Sequence, residues 1–444
     1  MQKITYILLF LILFVLPAFS QEQTDKPMLT LQDCINRSIL SHPDLKQARA
    51  GIRRAEAQLG QTRSSYLPQI SFSYGYTVSG GQNDYYRDDN GDLVYGRERS
   101  SYSSALSLRQ YITDFGRTAN LMKAAKEGYV VSLCDLTASE NSIVYSVKTA
   151  YYNCVAQYEL LLVNKEYVQA SKEHLEQSLA FYKAGTRSKI EVTRSETDFV
   201  NAELELSRAN AAYEVAKINL FNAMGVPTEA NCEFVTSFAL PEIAKSSDYF
   251  IETAKKQRPE ILKSEANLRA TKARFTATTA EFAPSLSSTA RYNWTGANYP
   301  LPRQWSVGLS LTMPIWDGNN TVNAVKAAQA NIDSVDAQNE RILQNVSAEV
   351  QKSYLNMMTA RQQIDVSKKA MELAQENFNL AQSRYRLGVG SNLEFTDSQV
   401  ASLSAKQSHI QALMNYFTSI AALEYSSGIS LETAMEGNEY YEEK

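Results

Sequence analysis

Two carboxylates, Glu394 and Asp397, stand three residues apart in the stretch YRLGVGSNLEFTDSQ, residues 385–399. At i and i+3 on a helix they share one face. Carboxylate pairs serve as general acid and base, hold a cation, or set the charge of a surface. Acid–base and glycosidase chemistry needs the pair in a cleft with a nucleophile or an orienting group nearby. This pair lies beside a helix turn, and neither partner occurs at an informative spacing, so no enzyme is expected. His42, His174 and His409 are far apart, and Cys34, Cys134, Cys154 and Cys232 fit no metal-ligand spacing. No metal and no cofactor is expected. The cysteines read as small buried residues whose pairing cannot be derived, and the histidines as ordinary surface or seam residues.

The stretch occurs twice. Residues 182–196 read YKAGTRSKIEVTRSE, and an offset of 203 places Tyr182, Gly185, Ser188, Glu191, Thr193 and Ser195 on Tyr385, Gly388, Ser391, Glu394, Thr396 and Ser398. Only the second copy has an acid at the next position: Asp397 answers to Arg194. The glycines suit the left-handed residue that ends a long helix. Ser188-Lys189-Ile190-Glu191 and Ser391-Asn392-Leu393-Glu394 have the S-x-x-E pattern of capping boxes. Helix-turn-helix mechanics therefore accounts for Gly, Ser and Glu in both copies, but not for Asp397.

The repeat extends from about Tyr102 to Gly225 without a gap, and upstream Pro43 and Pro68 meet Pro259 and Pro284 at an offset of 216. The 13-residue difference falls in an aspartate-rich segment around 84–96, expected to be an exposed hairpin loop. Each copy reads as short helix, two strands, long helix, turn, return helix. Strands are expected at about 69–79, 101–112, 286–296 and 304–313, alternating apolar or aromatic residues with small polar ones. Such segments of about ten residues suit a membrane barrel, or the half-buried strands of a soluble sheet; alternation alone does not separate the two. No proline interrupts 118–183 or 321–386, and 66 residues of helix reach about 100 Å. The return helix carries a strict 3-4-3-4 stripe from Phe199 to Ala223. Its second copy, beginning at Ser402, has a further stripe beside it: Leu403, Ile410, Leu413, Phe417 and Ile420. Two stripes call for two neighbouring helices, as in a cylinder.

Lys3, the apolar run 7–16 and Ala18-Phe19-Ser20 form a signal peptide with cleavage expected after Ser20. This gives an exported chain organised as signal peptide 1–20, first repeat 21–225, equatorial linker 226–258, second repeat 259–428 and acidic tail 429–444. No later stretch is long and apolar enough for a transmembrane helix. The formal net charge is −4 with no basic run, which leaves nucleic acid without a binding surface. Four strands cannot close a barrel, and no backbone edge can face lipid, so strands in a membrane demand an oligomer. The rival reading is an exported coiled-coil fibre or adhesin without a barrel.

The duplicated halves, the strand running into Pro314-Ile315-Trp316-Asp317-Gly318, and Y-x-x-G-x-x-S-x-x-E before each return helix resemble the TolC family of outer-membrane efflux proteins. The resemblance covers essentially the whole mature chain. It implies a mainly α fold with a transmembrane β-barrel: a homotrimer whose twelve strands continue into a long periplasmic α-helical barrel. It implies a passive duct in the outer-membrane lipid, served by a periplasmic adaptor (membrane fusion protein) and an inner-membrane transporter (RND, ABC or similar). By resemblance, Gly185, Thr186, Arg187, Ser188, Gly388, Val389, Gly390 and Ser391 are adaptor-contacting tips, and Glu394 and Asp397 the aperture. Tyr74, Tyr76, Tyr292, Trp294 and Trp305 read either as membrane-interface aromatics or as ordinary strand formers.

Overall fold

Proline opens two of the helices of this chain, and glycine closes four. The computed structural model describes residues 28–80, 85–87, 89–95, 99–228, 233–235, 240–241, 243 and 245–429; the expected signal peptide, Cys232 and the tail beyond 429 lie outside them. A two-residue strand β1 (Met28–Leu29) precedes α1 (Leu31–Ser41) and α2 (Pro43–Ser64). Strands β2 (Gln69–Ser79), β3 (Tyr85–Arg87), β4 (Leu93–Tyr95) and β5 (Arg99–Thr113) lead into α3 (Arg117–Lys183) and α4 (Lys189–Met224). After β6 (Glu233–Phe234) come α5 (Ser247–Gln257), α6 (Pro259–Thr279), β7 (Ser285–Gly296), β8 (Arg303–Thr312), α7 (Asn320–Arg386) and α8 (Asn392–Ser427). Pro43 and Pro259 stand in the first helical turn, where a missing N–H costs nothing. Gly185, Gly225, Gly388 and Gly428 follow α3, α4, α7 and α8 with φ between +68° and +77°, a conformation glycine adopts without penalty.

The long helices begin on an aspartate. Asp317 Oδ2 accepts the Thr321 amide at 2.9 Å and its hydroxyl at 2.6 Å, and Asp114 accepts the amide and hydroxyl of Thr118 in the same way. Two consecutive left-handed residues make each corner: Phe115 and Gly116 in one copy, Gly318 and Asn319 in the other. The Pro-Ile-Trp-Asp-Gly segment is thus the machinery that turns a strand into a helix. The S-x-x-E boxes behave differently from expectation. Ser391 Oγ accepts the Glu394 amide at 3.0 Å, but the Glu394 carboxylate pairs with Arg384 at 3.2 Å. Ser188 makes no side-chain cap, and Glu191 turns to Arg187 at 3.4 Å. In both copies a nearby guanidinium takes the carboxylate that a backbone amide was expected to hold, as charge-assisted bonding favours.

The four main strands form one antiparallel sheet in the order β2-β5-β7-β8. Its register sets Phe72, Leu106, Tyr292 and Trp305 in one row, and Tyr74, Ser104, Trp294 and Arg303 in the next. Ser73, Ala105, Asn293 and Gln304 lie between them on the other face. A register shift lies near the end of β5, between Tyr111 and Thr113. The insertion around 84–96, expected as an exposed hairpin loop, contains the antiparallel pair β3 and β4.

Helices α2, α3, α6 and α7 stand side by side next to the sheet, and α4, α3, α8 and α7 beyond the waist. Each 67-residue helix, about 100 Å long, runs through both levels. The two stripes of α8 find two neighbours. Ser402 and His409 bond to Gln375 and Ser367 of α7 at 2.9 and 3.1 Å, while Phe417 stacks on Tyr152 of α3 at 5.1 Å. The segment 226–258, expected as a linker, carries β6 and α5. The parallel β1–β6 pair is held by Tyr151, whose hydroxyl donates to Leu29 O or Val235 O at 3.1 and 3.2 Å. Cys34 and Cys154 are buried in this waist core, and no disulfide joins Cys34, Cys134 and Cys154 to one another.

Leu220 and Leu423 occupy equivalent, fully buried places in the two waist cores. Either leucine changed to alanine is expected to cost about 2–5 kcal/mol, read as a lowered unfolding midpoint, whereas exposed Leu40→Ala leaves it within about 0.5 kcal/mol.

Candidate functional site

The two helical turns meet. After α3 the chain turns through Gly185 and Thr186, whose amide and hydroxyl both donate to Phe181 O at 3.1 and 3.0 Å. After α7 the amides of Val389 and Gly390 both donate to Arg384 O, at 3.1 and 3.0 Å. A Cβ at Gly390 would stand 2.9 Å from Tyr385 N, so no larger residue fits. The repeat partner of Gly390 is Arg187, which reaches across the gap: its guanidinium donates to Gly390 O at 2.7 Å and Gly388 O at 3.2 Å. Arg187 and Gly390 are therefore engaged with each other. Gly185, Thr186, Ser188, Gly388, Val389 and Ser391 remain exposed.

Beneath the turns lies a buried clasp that joins α3 to α8, with α4 and α7 contributing. His174 stacks on Phe395 at 3.8 Å and 7°, and its Nε2 meets Asn392 Oδ1 at 2.5 Å. The Tyr385 hydroxyl meets Ser178, which meets Ser195, each at 2.9 Å. Gln399 donates to Ser171 at 3.1 Å, and Thr396 donates to Asp198 at 3.2 Å. The repeated letters therefore do unequal work: Tyr385 is 0% exposed inside the clasp, and its counterpart Tyr182 is 44% exposed. Spacing gave no sign of this clasp; its signal was the pair of stripes on α8, which required α3 as a second neighbour. Burial holds His174 below the usual imidazole range, against the opposing pull of Asn392, Asp198 and Glu191.

Glu394 and Asp397 both point away from the clasp and are exposed on the same face of α8. Glu394 is paired to Arg384 within the chain, whereas Asp397 has no ion pair among the described residues. Among the described residues no group of three or more His, Cys, Asp or Glu could hold a metal ion. Where α3, α4, α7 and α8 converge, a groove of about 930 Å³ is lined by amides and hydroxyls such as Gln157, Gln362, Gln407 and Ser404. The five expected interface aromatics fall on one face of the sheet, in adjacent rows at the end away from the helices. That face is open: Trp305 is 75% exposed and Val307, Leu309 and Leu311 about as much. No described helix is long and apolar enough to cross a membrane.

Residues 34–226 and 250–428 match the family described as outer membrane efflux protein. The chain belongs to that family. Among its relatives in this family are the outer membrane protein TolC of Escherichia coli and the toluene efflux pump outer membrane protein TtgC of Pseudomonas putida. TolC is 26% identical over 94% of this chain and 84% of its own length; TtgC is 24% identical over 88% and 81%. The CmeC outer membrane channel of Campylobacter jejuni has the same fold, with a TM-score of 0.79 at 21% identity over 92% of this chain and 88% of its own. The open state of the MtrE outer membrane channel of Neisseria gonorrhoeae gives 0.76 at 20% over 90% and 89%. Membership sets aside the fibre and enzyme readings and puts the chain in the outer membrane.

The clasp carries a pH dependence. A histidine whose folded value is depressed contributes stability that is full above its unfolded value, about 6.5, and is lost as pH falls through the folded one. Hydrogen exchange at the turns is expected to quicken as pH drops below that value, by up to about tenfold per pH unit after correction for the intrinsic rate. His174→Phe keeps the stack and flattens the profile.

Proposed function

We propose that three copies of this chain form a passive efflux duct. Twelve strands, four from each copy, make a barrel in the outer membrane, and the helices continue it through the periplasm. The observation that carries this reading is the sheet itself. Its apolar and aromatic face is uncovered, its other face is small and polar, and β2 and β8 are left as unpaired edges. A lipid-facing sheet cannot keep open edges. Two copies would close eight strands, whose bore side chains fill, so three is the smallest number that leaves a conduit. At about 3.3 Å per residue and a tilt near 45°, the ten residues of β8 cover roughly 25 Å, the height of an outer-membrane apolar band. The aromatic rows then sit at the outer interface, where amphipathic rings are favoured.

The duct works with a periplasmic adaptor and an inner-membrane transporter of RND, ABC or similar type, which supplies the energy. The exposed turn residues are the surface the adaptor meets; Arg187 and Gly390 act one layer behind it by holding the two turns together. At the same end, three copies bring Glu394 and Asp397 around one axis, where a carboxylate ring favours cations and resists anions. Because Arg384 already answers Glu394, Asp397 carries most of that field.

In planar bilayers, Asp397→Asn is expected to remove most of the cation preference of single channels, and adding Glu394→Gln to change it less. Unchanged conductance and selectivity in the double variant would remove both residues from the aperture.

A further inference from the structure

Closing the sheet also closes the helices. In the layer next to the sheet the order is α2-α3-α6-α7, so α2 is one border of the chain and α7 the other, directly continuous with edge strands β2 and β8. Any closed ring therefore sets α2 of one copy against α7 of the next. The borders carry opposite charge at the same spacing. Lys46, Arg49 and Arg53 lie at i, i+3 and i+7 on α2; Asp333, Asp336 and Glu340 lie at i, i+3 and i+7 on α7. All six are exposed, and none has an ion pair within the chain among the described residues. Asp333 only accepts a bond from Gln329, at 3.0 Å.

The chain contains its own template for how these borders meet. Between the two repeats α6 packs on α3, with Lys263 on Asp135 at 2.7 Å and Arg269 on Glu127 at 2.9 Å. Carried through the offsets of 216 and 203, α6 becomes α2 and α3 becomes α7. Lys263 and Asp135 then fall on Gln47 and Gln338, and Arg269 and Glu127 on Arg53 and Ala330. In that register Lys46 stands level with Glu340, Arg49 with Asp336 and Arg53 with Asp333. The mismatch is about two residues, or about 3 Å of rise, within the reach of long side chains. At 100° per residue the basic and acidic stripes also face the same side of the antiparallel seam. The template's ion pairs are thus not copied by the repeat but remade about one residue or one turn away.

We propose that Lys46, Arg49 and Arg53 pair with Glu340, Asp336 and Asp333 of a second copy of this chain, forming an ion ladder that fixes the register of each subunit junction. The inference rests on the trimeric duct and names the contact that sets its geometry. A ladder of three pairs acts as a network, for which ion pairs count for more than they do singly, and opposite charge on the two borders rejects like-with-like assembly.

The test has two readouts on protein extracted from outer membranes in detergent. Native mass gives the number of copies. Arg53→Cys combined with Asp333→Cys is treated with a short bismaleimide, and each single variant serves as control for the native cysteines. A trimeric mass, with dimers and trimers cross-linked only in the double variant, supports the ladder. Arg49→Glu with Arg53→Glu should lower the temperature at which the trimer dissociates, and adding Asp333→Lys with Asp336→Lys should restore it. A trimeric wild type that does not cross-link through this pair overturns the ladder alone. A monomeric wild type overturns the duct, and the ladder with it.

Discussion

Everything in this molecule follows from the unpaired backbone edges of its four-stranded sheet. An edge N–H or C=O facing hydrocarbon costs several kcal/mol, and β2 and β8 each present a whole row of them. The sheet cannot curl on itself with four strands, so in the proposed duct other copies satisfy the edges. Each strand continues through an aspartate-capped corner into a helix. The demand made at the sheet is thereby passed along about 100 Å of α3 and α7.

Duplication supplies most of that geometry cheaply. In the proposed duct, the contact of the first repeat with the second within one chain is a rehearsal of the contact between chains. The α3–α6 ion pairs and the β5–β7 ladder show how two such borders fit. Departures from the repeat then mark where the copies have different tasks. Arg187 answers to Gly390 and the two touch. Tyr385 is locked in the clasp while Tyr182 faces out. Arg194 answers to Asp397, and the acid stands exposed with no ion pair among the described residues.

Much of the fold was legible in the sequence because long-period features leave strong marks: proline-free runs, period-two strands, glycines after helices and the doubled stripe of α8. The waist was not, since β1 and β6 are two residues long and are held by a tyrosine hydroxyl far away in sequence. The capping boxes misled because local pattern cannot see a competing guanidinium, whether Arg187 or Arg384. Spacing put Glu394 and Asp397 on one face, as found. The stripes of α8 pointed to α3 as a neighbour, but not to the clasp's partners, because His174 meets Asn392 and Phe395 more than two hundred residues away.

The central claim is that the borders of the chain are closed by other copies of it. Amide hydrogen exchange of the assembled protein, extracted from outer membranes, reads this directly. The account predicts that the outward-facing amides of β2 and β8 are protected as strongly as those of β5 and β7. Edge amides that exchange freely while β5 and β7 stay protected would contradict it.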